Sequence, residues 1–488
     1  MWNFTDLNNK STMATTIEQR PLFTYLAAGQ EIIFTVANDI IVTNVLNSRV
    51  KFVAEVRVSG DQAPNPSSSS QVIGTFKTTP NNAARGIFDF RPIIENFVKS
   101  DNMARSNSTF KTAANTELIT PIHLIDKFSG NNNNFKYFTV KFKIEYFNGT
   151  SLVTTTGPNS PTFKVWNGYI KYDDEIAIGN GTQANWFGYN LTAFNLTDST
   201  KRFLTNAPDT QFANIEDYGT LSMLNIASVY KDPTGGLLPG VRYVVFRYYD
   251  INDVQLDADT VGVTDVNDGG FNFSQQLTAN NQLTYLGAFP GNLRGWSTKF
   301  NANIKDISYY TISVQKYTGA VADIASRTYR ININCPTLKG YAPIRLCWLN
   351  QWGAWDYYTF TMKSIKKTKA KGTTYRQLAG SWNSEVYKMD AFKGGKKAFR
   401  VNATEMITMN TDFVNESESE WFEELINSPE VYILEGYRVT LSNSSLNTTV
   451  TPVRLSTSSY TKKTVANDKL MQYTFEVEKS KTLRTQSV

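Results

Sequence analysis

Residues able to do chemistry are few in this chain, and their spacing argues against most reactions. Its 488 residues include one histidine, His123, and two cysteines, Cys335 and Cys347. A zinc site takes three or four His or Cys ligands at close spacing, so no metal site is expected. His123 lies in the apolar run Pro121-Ile122-His123-Leu124-Ile125, which predicts a core or edge position in a strand rather than acid/base work. The two cysteines are expected as free buried thiols. Carboxylate pairs such as Asp173-Asp174, or Asp356 with Glu385, have the residue type for glycoside hydrolysis, but 43 acidic residues make such pairs commonplace. The sequence contains no Walker loop and no Gly-x-Ser-x-Gly turn. No catalytic residue, cofactor or metal is therefore expected. Trp186 and Trp296 are of a type that stacks on sugars, with core packing the preferred reading.

Charge is distributed in blocks. Between Lys363 and Arg400 stand eleven basic residues (Lys363, Lys366, Lys367, Lys369, Lys371, Arg376, Lys388, Lys393, Lys396, Lys397 and Arg400) against two acidic ones, Glu385 and Asp390, in a chain whose whole net charge is +6. Between Glu405 and Glu424 the sign reverses: seven acids, among them Glu416, Glu418, Glu420, Glu423 and Glu424, and no Lys or Arg. Neighbouring blocks of opposite sign suit head-to-tail contact between copies of one chain. Two other readings of the basic block are a merely solvated surface and neutralisation of DNA phosphates in a lumen without base reading.

The elements that must carry these residues read as strands. Thirty Phe, 25 Tyr and 9 Trp sit among Thr, Val and Ile in short runs. Arg49 to Val58 alternates, placing Val50, Phe52, Ala54, Val56 and Val58 on one face, and Phe138 to Tyr146 does the same before a turn at Asn148-Gly149. Val241 to Tyr249, Gly270 to Phe273 and Tyr309 to Tyr317 repeat the pattern of the first half, which predicts an internal duplication. Pro92 to Lys99 reads as a short helix. Asn415 to Ser428 reads as a longer one, with a capping box at Ser417-Glu418-Ser419-Glu420 and the pairs Trp421/Leu425 and Phe422/Ile426 on its apolar face.

The expected fold is mainly β and multidomain: two Ig-like β-sandwich modules plus a C-terminal α+β domain. The boundaries are a flexible arm over 1–20, module 1 over 21–165, a loop-rich insertion over 166–238, module 2 over 239–342, and an aromatic and basic segment with the α+β domain over 343–488. Met1 to Asp6 has neither the basic nor the apolar region of a secretory signal, and the best apolar stretch, Leu22 to Leu46, is broken by Gln30, Glu31, Asn38 and Asp39, so no membrane span is expected.

Pro343-Ile344-Arg345-Leu346-Cys347-Trp348-Leu349-Asn350-Gln351-Trp352-Gly353-Ala354-Trp355-Asp356-Tyr357-Tyr358-Thr359-Phe360 is the densest aromatic run. It resembles a segment of virion structural proteins of tailed phages that infect Bacteroidota, including crAss-like phages. Glu420 to Tyr432, Pro452-Val453, Tyr460 to Thr464, Asn467 to Phe475 and Arg484-Thr485-Gln486 are similar to tail- and neck-region proteins of the same family. The likeness runs from Ile331 to the end, with a weaker stretch at Ile73 to Phe88, and departs from the pattern at Gln351 and Ala354. It implies a ring-forming component of a short tail (nozzle or muzzle, neck or baseplate), made in the host cytoplasm and built into the virion. Its partners would be copies of itself, other tail or neck proteins, and DNA held non-specifically in a lumen. Trp348, Trp352, Trp355, Asp356, Trp421 and Leu425 would be assembly and packing contacts, and the charged residues above would line an interface or lumen. A receptor- or glycan-binding adhesin of the virion is the alternative.

Overall fold

The computed structural model describes residues 14–60, 71–100, 102–104, 121–130, 133–173, 185–186, 191–224, 241–262, 283–317, 322–334, 340–381, 383–439, 448–457, 459, 461 and 471–487. The chain is mainly β and multidomain, with five sheets and a few short helices among the described residues.

In the first module, two sheets enclose one core. Phe52, Ala54 and Val56 of strand Ser48–Ser59 and Phe138, Val140, Phe142 and Ile144 of strand Phe135–Phe147 are buried, as their alternation predicts, and they meet Phe34, Val36 and Phe88 of the facing sheet. The Phe34 and Phe142 rings lie 5.7 Å apart across that gap. Thr16–Pro21 falls largely inside the predicted arm, yet it is a strand of this module, paired with Ile33–Ala37. Its polar side chains hid it: it pairs on its other side with Asn185–Trp186, but most of its side chains are only half-buried and leave no apolar pattern.

The duplication predicted from pattern is present in the topology. In module 1 the larger sheet runs Tyr25–Ala27, Phe163–Trp166, Phe135–Phe147, Ser48–Ser59, Val72–Thr78; in module 2 it runs Thr210–Asn214, Tyr329–Asn334, Tyr309–Tyr317, Val241–Tyr249, Gln255–Gly262. In both, the first pair is parallel and every other pair antiparallel. Each module also places a helix with a first-turn proline after its second sheet, Arg91–Ile94 capped at Phe90 and Pro290–Trp296 capped at Phe289.

A serine marks the same break in both copies. Where Phe135–Phe147 changes partner, Ser160 Oγ accepts from Val140 N at 2.9 Å and donates to Pro161 O. Ser326 Oγ accepts from Val314 N at 2.9 Å and donates to Arg327 O. Each hydroxyl stands in for the missing ladder partner of a buried N–H. Ser160→Ala and Ser326→Ala should therefore cost similar amounts, about 1–3 kcal/mol each, in denaturant titrations.

The insertion expected over 166–238 is in part the start of module 2. Thr210–Asn214 and Thr220–Leu224 supply one strand to each of its sheets. All five residues of Thr220–Leu224 are buried, so no alternation advertised the strand. Phe128–Ser129, from within module 1, pairs with Leu283–Gly287 of module 2 and ties the two together. The Asn148-Gly149 turn forms as expected. Pro233 to Gly236, whose sequence reads as a turn, and Gly270 to Phe273 lie outside the described residues.

The third unit is an eight-stranded antiparallel sheet over Ile344 to Ser487, with helix Glu416–Asn427 packed on it. The helix does carry a capping box, but at Asn415 and Glu418 rather than Ser417 and Glu420: the Asn415 side chain accepts from Glu418 N, and the Glu418 carboxylate accepts from Asn415 N. Asn415 sits one residue before the first helical one, where a side-chain acceptor reaches the third N–H.

Candidate assembly surface and the junction behind it

The aromatic run forms hairpin Ile344–Leu349/Trp355–Phe360, buried on both faces. Leu346, Trp348 and Phe360 face the core under the helix; Cys347, Trp355 and Tyr357 face the core of module 2. This explains the density of apolar residues, since a strand covered on both sides shows no polar alternation. Trp348 and Trp421 rings lie 4.9 Å apart, and Leu425 packs in the same cluster.

The turn of this hairpin is gripped by every unit. Asn350 Oδ1 accepts from Trp352 N and Ala354 N, while its amide donates to Leu204 O. Gly353 O accepts from Ser100 Oγ at 2.9 Å and from the Tyr285 hydroxyl at 3.2 Å. Trp166 Nε1 donates to Trp352 O, and Trp352 Nε1 donates to Asn206 Oδ1. Asp356 is buried and accepts from Thr205 Oγ1 at 2.6 Å and Trp421 Nε1 at 2.7 Å. Burial raises its pKa above the usual carboxylate range, against the pull of those donors. Glu424, also buried, accepts from the Asn206 amide; burial first and then the neighbouring Asp356 raise its value too.

Trp348, Trp352, Trp355, Asp356, Trp421 and Leu425 are thus internal to one chain, and the expectation that they contact other subunits is corrected: none presents surface. His123 is also a core residue, in a short 3-10 turn rather than a strand, with Nδ1 2.8 Å from the Tyr357 hydroxyl. Burial pushes its value down to about 3, helped by Arg345. Cys347 is a buried free thiol whose acidity is suppressed by burial. Cys335 lies outside the described residues. Arg345 was not anticipated as a centre, although a charge within Ile344-Arg345-Leu346-Cys347 is itself a signal of a buried pair. Its guanidinium donates to Tyr218 O at 2.6 Å, Thr359 Oγ1 at 2.8 Å and Asp217 at 3.3 Å, and lies over the Phe289 ring.

The lysine block takes a different form. Strands Ile365–Gln377 and Gly395–Asn410 pair along their length, about 40 Å at the usual rise per residue; Met406–Asn410 also pairs with Thr474–Lys479 and Arg400–Ala403 with Leu483–Ser487, so only the end beyond Arg400 is a two-stranded ribbon. Nearly every residue of Ile365–Gln377 is exposed on both faces. Lys367, Lys369 and Lys371 share one face and Lys366 the other, by the two-residue period of a strand. Among the described residues, Lys363, Lys366, Lys367, Lys369, Lys371, Lys396 and Lys397 form no ion pair; Lys393 pairs with Asp390 at 3.0 Å. The end of the ribbon is a knob closed by the Gly380/Met389 bridge; beside Asn383, Ser384, Glu385 and Lys388 it exposes five large apolar side chains, Leu378, Val386, Tyr387, Met389 (78 %) and Phe392 (75 %).

The acidic block is largely spent inside the chain. Glu418 caps the helix, Glu423 pairs with Lys171 at 3.8 Å, Glu424 is buried, and Glu405 pairs with Lys479 at 3.1 Å. Glu416 and Glu420 face solvent. The predicted complementary acidic face is therefore smaller than the sequence count, because a helix in contact with a sheet turns half its residues inward. Asp356 and Glu385 are not brought together as a pair: Asp356 is buried in the junction and Glu385 is exposed on the knob. Among the described residues, no group of three or more His, Cys, Asp or Glu is placed to hold a metal ion, and no helix is long and apolar enough to cross a membrane.

No protein-family model matches the chain, and no curated protein matches it. Among solved structures, a BSP domain of a biofilm-associated protein is 10% identical over 82% of this chain, with a TM-score of 0.17. E. coli alpha-2-macroglobulin is 10% identical over 81%, with a TM-score of 0.16. The chain spans 64% of the first of these and 22% of the second. Overlaps this poor carry no argument about fold or function.

Proposed function

We propose that this chain is a structural subunit of a tailed-phage virion, a ring-forming tail, neck or baseplate component that joins copies of itself and neighbouring tail proteins through its ribbon. The ribbon is the observation that supports this reading. The far end of this hairpin, beyond its pairing with Leu483–Ser487, is two-stranded and carries five exposed apolar side chains, each of which gains about 1.5–3 kcal/mol when buried. Such an arm is suited to reach a neighbour, with its lysines steering the encounter toward carboxylates or, in a lumen, phosphates.

The experiment is mass photometry and electron microscopy of the purified chain at low and high salt. A closed oligomer is expected. The triple variant Val386→Ser/Met389→Ser/Phe392→Ser should be a folded monomer with the circular dichroism spectrum of the wild type, since all three side chains face water in the single chain. A wild-type chain that stays monomeric at micromolar concentration would sink the ring. Its absence from purified phage particles, measured by mass spectrometry, would sink the virion assignment.

A further inference from the structure

We infer that one face of the long hairpin Ile365–Gln377/Gly395–Asn410 is a binding surface for the phosphodiester backbone of a nucleic acid, made by Lys367, Lys369, Lys371, Arg400 and Arg484. Strand register brings these five together. Lys367, Lys369 and Lys371 stand at every second residue of their strand, about 7 Å apart. Directly paired residues of an antiparallel ladder share a face. Arg400 lies opposite Thr373, and Arg484 opposite Asn402, which itself lies opposite Lys371. All five are exposed, and among the described residues none forms an ion pair. Lys397, opposite Tyr375, extends the row and donates to Phe392 O at 3.0 Å. The acid nearest on this face is at its base, Glu478 opposite Met406, and Arg454 holds it at 2.9 Å.

The other face differs. Between Lys366 and Arg376 it carries Thr368, Ala370, Gly372 and Thr374, and the acid across from Thr368, Glu405, is paired with Lys479. Lysines that only kept an edge strand soluble would serve equally on either face, and spreading them over both would relieve their repulsion. Gathering them on one side costs electrostatic energy in the free chain, which a ligand with closely and regularly spaced negative charges recovers. A nucleic-acid strand has that regularity; the scattered carboxylates of a folded protein do not. Toward the knob, the Tyr375 and Phe399 rings lie 6.4 Å apart, and Phe399 is 45 % exposed, a platform on which unpaired bases stack.

The backbone chemistry is shared by single strands and duplexes. Fluorescence anisotropy of the full chain with a labelled oligothymidylate of about 20 nucleotides, and with a duplex of the same length, separates the two sources. Both are expected to bind with a dissociation constant on the order of 10 μM at about 0.1 M salt, the single strand more tightly. For the single strand, log affinity should fall against log salt with a slope of about −3 to −4, the value for five neutralised phosphates. Lys367→Gln/Lys369→Gln/Lys371→Gln should bring that slope to about −1 to −2 and weaken binding about a hundredfold. Lys366→Gln/Arg376→Gln/Lys396→Gln removes the same charge from the opposite face, and should weaken binding less than about threefold. Phe399→Ala should weaken the single strand about fivefold and leave the duplex unchanged.

The inference is overturned if neither oligonucleotide saturates, or if the two triple variants weaken binding equally, which would make net charge the cause. Displacement by poly-glutamate as effective as that by unlabelled oligothymidylate also overturns it, and assigns the face to an acidic protein. The surface rests on the hairpin alone and not on the proposed ring. Val386→Ser/Met389→Ser/Phe392→Ser leaves this face intact and should bind the oligonucleotides as a monomer, so failure of the ring and failure of this surface are read separately.

Discussion

Gly353→Ala is expected to lower stability by at least about 4 kcal/mol, among the largest single effects available in this chain. Gly353 has φ +69°, in the left-handed region, and a Cβ built on it would stand 1.9 Å from the carbonyl oxygen of Asn167. Backbone cannot swing away as a flexible side chain can, so the hairpin turn would have to withdraw from module 1. That withdrawal would also break the bonds from Ser100, Tyr285 and Trp166 at the turn. Gly353→Asn separates the two causes. Asparagine tolerates the left-handed region but also carries a Cβ, so it should be no better than alanine if the contact dominates. Calorimetry checks this, and a loss under about 1 kcal/mol for either variant contradicts the packing described.

Asp217→Ala should cost about 3–5 kcal/mol, because it strands the Arg345 guanidinium in the core. Arg345 is 3 % exposed, and among the described residues its carboxylate partner is Asp217, which also accepts from Thr359 Oγ1 at 2.7 Å and from Asn214 N at 2.8 Å. The pair joins the third unit's strand Ile344–Leu349 to the bend before Thr220–Leu224 of module 2. Replacing both charges, Asp217→Leu with Arg345→Met, should recover most of the loss, since a buried ion pair contributes less than its rupture costs. Urea titration of the two single variants and the double one measures the coupling directly. Additive losses would mean that the two charges act separately.

How much of this was legible depends on which faces are buried. Ser48–Ser59 and Phe135–Phe147 could be read because one face of each meets a core, and the repeat of that pattern revealed the duplication. Thr220–Leu224 escaped because it is enclosed all round, and Thr16–Pro21 because it is polar. The Glu416–Asn427 helix was recognisable from Trp421 and Leu425 four residues apart; its cap was misplaced by two residues because Asn and Ser can both accept from the third N–H.

For the candidate site, the lysine count was plain but its form was not. Lys-Thr-Lys-Ala-Lys alternation has no apolar face to mark a strand, so only the long pairing with Gly395–Asn410 shows a ribbon. Asp356 and Glu424 stand 68 positions apart in the chain, and nothing local predicts that two carboxyls meet beneath one tryptophan.

The hairpin shared between two cores has a consequence for how the protein is made. The core of module 2 includes Cys347, Trp352, Ala354, Trp355, Tyr357 and Leu434, all of which leave the ribosome after its own last strand, Tyr329–Asn334. Module 1 can close its sandwich as a nascent chain, but module 2 must wait with an apolar side uncovered until Leu434 has emerged. A stalled or truncated product ending near residue 342 would be the aggregation-prone species, and a chaperone that shields it in that interval would raise the yield of the whole protein.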